Sequence, residues 1–159
     1  MRFVMHLEYF QMLDRVERLD LAVSSVTASA QVPYASPVFE GHFPGYPVMP
    51  GVLLLETMAQ ASGYLVLAID GFSRMPFFAG VKKANFRAFV SPGQKLVVQA
   101  VRIHDGSGYA VVDAHIRHEE RDVADAQLIM RSVAFPNEAL QQHVRREGAR
   151  LGLLVEPHG

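Results

Sequence analysis

Residues 39–63 read Phe-Glu-Gly-His-Phe-Pro-Gly-Tyr-Pro-Val-Met-Pro-Gly-Val-Leu-Leu-Leu-Glu-Thr-Met-Ala-Gln-Ala-Ser-Gly. The first half holds Gly41, Pro44, Gly45, Pro47, Pro50 and Gly51. Prolines remove backbone donors and glycines permit dihedrals closed to other residues, so this half is expected to loop without regular structure. The second half is expected to be a helix. Pro50 suits a first helical turn, and no proline follows until Pro76. Leu53, Leu54, Leu55, Met58, Ala59, Ala61, Leu65, Val66, Leu67 and Ala68 leave almost no polar face, which predicts a buried helix. Glu56, Gln60 and Ser62 interrupt the apolar run and argue against a membrane span.

Glu56 is the anomaly in that helix. No Lys or Arg occurs between Arg18 and Arg74, so no cation near in sequence can pair with it. A buried carboxyl without a positive partner tends to stay protonated. Gln60, at i+4 on the same face, can hydrogen-bond Glu56 and fix its rotamer. A neutral, oriented carboxyl is suited to general-acid work. His42 sits in the loop just before the helix, and histidine is the side chain best suited to proton abstraction near neutral pH. The helix start at Gly51 offers unpaired N–H groups for a developing oxyanion. Base, acid and oxyanion donor thus fall in one short stretch.

These residues closely resemble the signature of the beta-hydroxyacyl-[acyl-carrier-protein] dehydratase family. The Gly-His-Phe-Pro-Gly core, the Pro-Val-Met-Pro-Gly-Val-Leu run and the Glu-Thr-Met-Ala-Gln segment match in order. Weaker matches extend over roughly residues 9–136. The resemblance implies the hotdog fold, an α+β layout in which an antiparallel sheet wraps a long central helix. It implies dehydration of a beta-hydroxyacyl chain on acyl carrier protein to the trans-2-enoyl form, in fatty acid or lipid A-type acyl chain synthesis. His42 is then the base and Glu56 the acid, with Gly51 as oxyanion donor and Gln60 as support. A backbone carbonyl near Val48 orients the imidazole, and Phe77 or Phe78 lines the acyl tunnel. No cofactor and no metal are implied. The family builds each site from two subunits, so at least a homodimer is expected, with a trimer of dimers as a further arrangement. Related dehydratase-isomerases carry aspartate at the acid position, so Glu56 points to dehydration alone. Tyr46 and the lead-in Tyr34-Ala35-Ser36-Pro37-Val38 depart from the commonest pattern and leave chain length open.

The rest of the chain fits one domain, residues 1–137, with an extension over 138–159. Hydrophobic content of 50% supports a sizeable core, and a net charge of -1 argues against nucleic acid as a general partner. Zero cysteines exclude disulfides and thiolate chemistry. The N-terminus lacks a long apolar run before its charges, so a cytoplasmic protein is expected. Residues 8–16 read as a helix or turn, and strands are predicted over 23–32, 76–89, 96–104, 109–118 and 123–135. The aromatics Phe77 and Phe78 are core residues by default. Asp105-Gly106-Ser107-Gly108 is a hairpin turn signal. Residues 138–150 can form a surface helix, followed by a frayed end.

Charge is uneven. Six cations and no acid lie between Gly71 and His104. Lys82, Lys83 and Arg87 are therefore candidates for receiving an acidic carrier protein, against the plainer reading of solvated strand faces. Two other functions stay open: a hotdog acyl thioesterase, and a non-catalytic acyl-binding domain. His42 beside the proline-rich loop argues against the first, and the intact His42/Glu56 pair against the second.

Overall fold

The computed structural model describes residues 5–153. Six antiparallel strands form one sheet in the order β1-β2-β4-β5-β6-β3. They are β1 Arg15–Asp20, β2 Ser25–Gln31, β3 Met75–Phe86, β4 Lys95–Asp105, β5 Tyr109–His118 and β6 Arg121–Val133. The helices are α1 Pro37–Gly41, α2 Gly51–Ile69 and α3 Glu138–Arg150, and a 3-10 turn covers Leu7–Tyr9. The sheet wraps α2, which is the hotdog arrangement.

Alternation along the strands explains why. Val112, Ala114 and Ile116 of β5 and Ala124, Ala126 and Leu128 of β6 are buried, while Asp113 faces out. One cross-strand row runs Val26, Ala100, Ala114, Ala126, Ala84. Four alanines in five positions make a shallow floor, so a helix can approach the sheet closely. Leu54, Met58, Ala61 and Leu65 of α2 face that floor and are nearly inaccessible. Full burial of a Leu or Met contributes roughly 1.5–3 kcal/mol.

The helix ends where the sequence places its stop. Gly71 has φ +63, Phe72 N–H donates to the Leu67 carbonyl at 2.8 Å and Gly71 N–H to that of Ala68 at 3.3 Å. This is a Schellman close. The 105–108 turn also forms. A Cβ at Gly106 would lie 2.2 Å from the Tyr109 ring, so a side chain there would make that ring shift.

Four expectations are corrected. First, α2 is buried on one side only: Val52 is 72% exposed, and Leu55, Glu56 and Gln60 are partly exposed. Its composition would suit a membrane span, but the sheet claims its apolar face. Second, residues 37–41 are helical. The Ser36 hydroxyl accepts from Val38 N–H at 3.2 Å and caps α1, so the loop begins at His42. Third, Arg15–Asp20 is an edge strand with a register shift between Val16 and Arg18. Its charges are the kind that protect an edge, and they hide its strand character. Fourth, Phe77 and Phe78 are 41% and 39% exposed, because β3 is the other edge and has a neighbour on one side only.

The extension docks on the domain. Asn137 caps α3 through its side chain, and Leu151 is fully buried, with its carbonyl accepting Val16 N–H at 2.8 Å. The expected frayed end falls on residues 154–159, outside the described residues. Beneath the extension lies Asp14, 8% exposed. Its Oδ2 accepts Gln31 N–H at 2.6 Å, and its Oδ1 finds no partner among the described residues. Burial pushes this carboxyl up to about 6 from 3.8, with the Gln31 N–H and Arg150 pulling the other way. The folded chain therefore holds the proton longer than the unfolded chain. Stability from this group is complete below about pH 4 and falls as pH rises to about 6, by at most about 3 kcal/mol. Asp14→Asn should remove that slope. The melting temperature of the variant minus that of the wild type should climb between pH 4 and 7, and a flat difference would contradict the assignment.

Candidate active site

The loop before α2 is a small hairpin. Pro44 and Gly45, the latter with φ +74, turn the chain. Phe43 and Tyr46 exchange backbone bonds of 3.0 and 2.9 Å across the turn. Val48 N–H donates to the His42 carbonyl at 2.9 Å, and Met49 N–H to that of Val90 at 2.8 Å. The His42–Phe43 peptide is cis, and the two rings stack at 4.2 Å.

This frame holds the His42 ring. Its Nδ1 lies 3.0 Å from the Val48 carbonyl oxygen. A carbonyl can only accept, so Nδ1 carries the proton and donates, which leaves the Nε2 lone pair available. Val48 itself is buried, so its carbonyl is an anchored partner.

Glu56 lies two turns into α2 and is half-buried, against the expectation of full burial. Gln60 Nε2 donates to Glu56 Oε1 at 3.1 Å. The Gln60 amide is itself held from both ends. Its Oε1 accepts Met12 N–H at 3.0 Å, and its Nε2 also donates to the Phe10 carbonyl. A backbone donor on the oxygen and an acceptor on the nitrogen determine the amide's orientation. The Gln60 side chain thus ties Glu56 to the segment before β1, and Met12 and Phe10 act through backbone atoms that no sequence motif marks.

Gly51 starts α2, with Pro50 as its cap and no side chain capping the first turn. The Pro50 carbonyl takes the Leu53 and Leu54 N–H groups, and Gly51 follows the His42 loop directly in the chain. Gly51 also packs near Phe86, since a Cβ would meet that ring at 3.5 Å.

An apolar groove of about 280 Å³ runs beside Glu56, between α2 and the β3 edge. Gly63, Leu67, Phe78 and Met130 line it. Of the two candidate tunnel aromatics, Phe78 reaches the groove and Phe77 does not. His42 does not line it either, and no hydrogen bond links His42 to Glu56 among the described residues. Gly63 had a readable signal: it stands seven residues after Glu56, on the same helical stripe.

The basic stretch is less unbalanced than its sequence. Arg87 Nε pairs with Asp125 Oδ2 at 2.7 Å, and Asn85 Nδ2 donates to Asp125 Oδ1 at 2.9 Å. These bonds hold the Asp125 carboxyl below its usual range, with Asn85 the larger cause and Arg87 next. Arg102 lies 3.7 Å from Asp105. Lys83 lines a polar hollow with Asp113 and Asp125. Of the three candidates, Arg87 is engaged in an ion pair, while Lys82 and Lys83 form none among the described residues.

The FabA-like domain family matches residues 5–127. A protein of Thiobacillus denitrificans named 3-hydroxyacyl-[acyl-carrier-protein] dehydratase FabZ is 37% identical over 133 residues, 81% of this chain and 91% of that protein. The protein of that name from Symbiobacterium thermophilum is 37% identical over 142 residues, 87% and 99% of the two chains. The one from Chlamydia pneumoniae is 46% identical over 94 residues, 57% of this chain and 61% of that protein. Among solved structures, a hypothetical thioesterase of Streptococcus pneumoniae with coenzyme A aligns at TM-score 0.61 and 18% identity, over 77% of this chain and 88% of that one. A conserved protein of Pseudomonas aeruginosa aligns at TM-score 0.60 and 23% identity, over 75% and 87%. Identities this low establish the fold and leave the chemistry to the sequence relatives. The chain belongs to the FabA-like domain family, among the hotdog-fold 3-hydroxyacyl-[acyl-carrier-protein] dehydratases.

Proposed function

We propose that this protein dehydrates beta-hydroxyacyl-[acyl-carrier-protein] to trans-2-enoyl-[acyl-carrier-protein], in the cytoplasm and without a cofactor. The observation that carries the reading is the His42 ring held by the Val48 carbonyl, with Nε2 left open. In the reaction Nε2 takes the alpha proton, and the electron pair forms the alpha–beta double bond. The beta C–O bond breaks, and Glu56 gives its proton to the departing hydroxyl, which leaves as water. The thioester carbonyl gains negative charge in the transition state, and the Gly51 N–H is the proposed donor to it. Gln60 keeps the Glu56 carboxyl aimed. The direct test is mass spectrometry of carrier-bound hydroxyacyl chains incubated with the protein. Loss of one water from the intact acyl-carrier species is expected. Release of free carrier thiol without enoyl product would indicate a thioesterase instead.

The site is proposed to be shared between two copies. His42 and Glu56 are not joined within one chain, and β3 is a 12-residue edge strand with exposed Phe77 and Phe78. Antiparallel pairing of β3 with its copy would continue the sheet and cover that edge. A homodimer is the least assembly this requires, and a trimer of dimers is compatible with it.

Acyl carrier protein is the proposed partner, received in part by Lys82 and Lys83. Exposed charges act mainly on association and are screened by salt. Lys82→Glu with Lys83→Glu should raise the apparent KM for carrier-linked substrate a few-fold, the scale expected of exposed charges. A small thioester lacking the carrier should show little change, and added salt should mimic the variant in the wild type. Equal losses on both substrates would remove the lysines from carrier binding. Arg87 is the weaker candidate, since reversing it also breaks the Asp125 pair.

A further inference from the structure

The groove beside Glu56 follows one stripe of α2. Glu56, Gly63 and Leu67 lie at i, i+7 and i+11, so the lined length is roughly 16 Å along the helix axis. Most of its wall is apolar, and only Glu56, Gln60 and Tyr64 bring polar side chains to it. Gly63 brings no side chain to it; a Cβ there would make ordinary van der Waals contact with the Met130 methyl at 3.6 Å and with Pro76 at 4.0 Å. The volume of about 280 Å³ is near the lower end of the roughly 300–1,000 Å³ typical of small-ligand sites.

Two lining residues fall outside the family match, which stops at residue 127: Met130 on β6 and one residue of the extension. The wall from the extension is Val144 of α3. Its place along the groove follows from its neighbours. Gln141 Nε2 donates to the Phe72 carbonyl at 3.0 Å, and the Arg145 guanidinium lies over the Phe72 ring at 5.9 Å, just past the end of α2. Glu147 lies close enough to Tyr64 to act on its hydroxyl electrostatically. Val144, between these two ties, therefore stands over the stretch from Tyr64 to Phe72, the part of the groove remote from Glu56. Buried Leu151 anchors the far end of the extension.

We propose that α3 closes the remote end of this groove and that Val144 limits the length of the acyl chain the site accepts. The inference rests on the dehydratase reading. If Glu56 protonates the beta hydroxyl, the beta carbon sits at the Glu56 end and the tail is directed toward Val144. Each methylene beyond the wall has to displace α3 or leave the groove.

The test uses the full chain, which contains no tryptophan. Val144→Trp both fills the remote end and supplies a single fluorescent reporter there. Arg146→Trp, on the exposed side of α3, is the control. Dehydration is measured on carrier-linked substrates of increasing length, and emission is measured on titration with non-cleavable beta-hydroxyacyl thioethers of pantetheine. Val144→Trp should lower the ratio of kcat/KM for the longest to the shortest substrate by roughly tenfold or more. Val144→Ala should shift the preference to longer chains. Arg146→Trp should keep the wild-type profile. The reporter at 144 should shift to shorter wavelength with long tails and not with short ones. A uniform loss at every length, or the same profile from both tryptophan variants, would overturn the inference. A wild type that turns over no member of the series would sink the dehydratase reading. The emission then decides the inference separately: a length-dependent shift upholds an acyl groove ending at Val144, and no shift at any length overturns it.

Discussion

His42→Ala is expected to lower turnover of carrier-linked beta-hydroxyacyl substrate by on the order of a hundred- to ten-thousand-fold. Glu56→Gln is expected to fall by a similar factor, because an amide N–H is too weakly acidic to protonate the leaving hydroxyl. Both losses are expected without unfolding. The His42 loop is closed by backbone bonds between Phe43 and Tyr46, between Val48 N–H and the His42 carbonyl, and between Met49 and Val90. None of these uses the imidazole. The Glu56 substitution is nearly isosteric, and the Gln60 amide nitrogen can still donate to the new amide oxygen. Far-ultraviolet circular dichroism and melting temperature should therefore stay near wild type. Near-full turnover in either well-folded variant would remove that residue from the proton transfers.

Much of the frame was legible in residues 39–71. Pro50 and Gly51 open α2 and Asp70-Gly71 closes it, because caps and turn formers act locally. The i, i+4 spacing of Glu56 and Gln60 anticipates their hydrogen bond for the same reason. Period-two alternation exposed β5, whose partners lie on both sides. What escaped was set by distant partners. Arg15–Asp20 is too charged to read as a strand until its pairing with β2 is known. The Ser36 cap of α1 is masked by the prolines and glycines that follow. Arg87 and Asp125 are 38 residues apart and meet only because β3 pairs with β6. Phe77 and Phe78 look like core residues in sequence, yet their strand lies at an edge. Val144 could not be tied to the groove at all, since nothing local relates α3 to Glu56.

The central claim is a proton-transfer site assembled from two copies of the chain, and subunit exchange tests it most directly. His42→Ala and Glu56→Gln proteins, each nearly inactive, are to be mixed in equal amounts, exchanged under mild denaturation and assayed for dehydration. In a mixed dimer one site inherits both defects and the other inherits neither. Random pairing makes half the dimers mixed, so recovery to about a quarter of wild-type activity is predicted. Mass spectrometry under native conditions would verify that mixed dimers have formed. Activity no higher than that of the two parents, with mixed dimers present, would show that His42 and Glu56 do not meet across the interface, and the shared site would be contradicted.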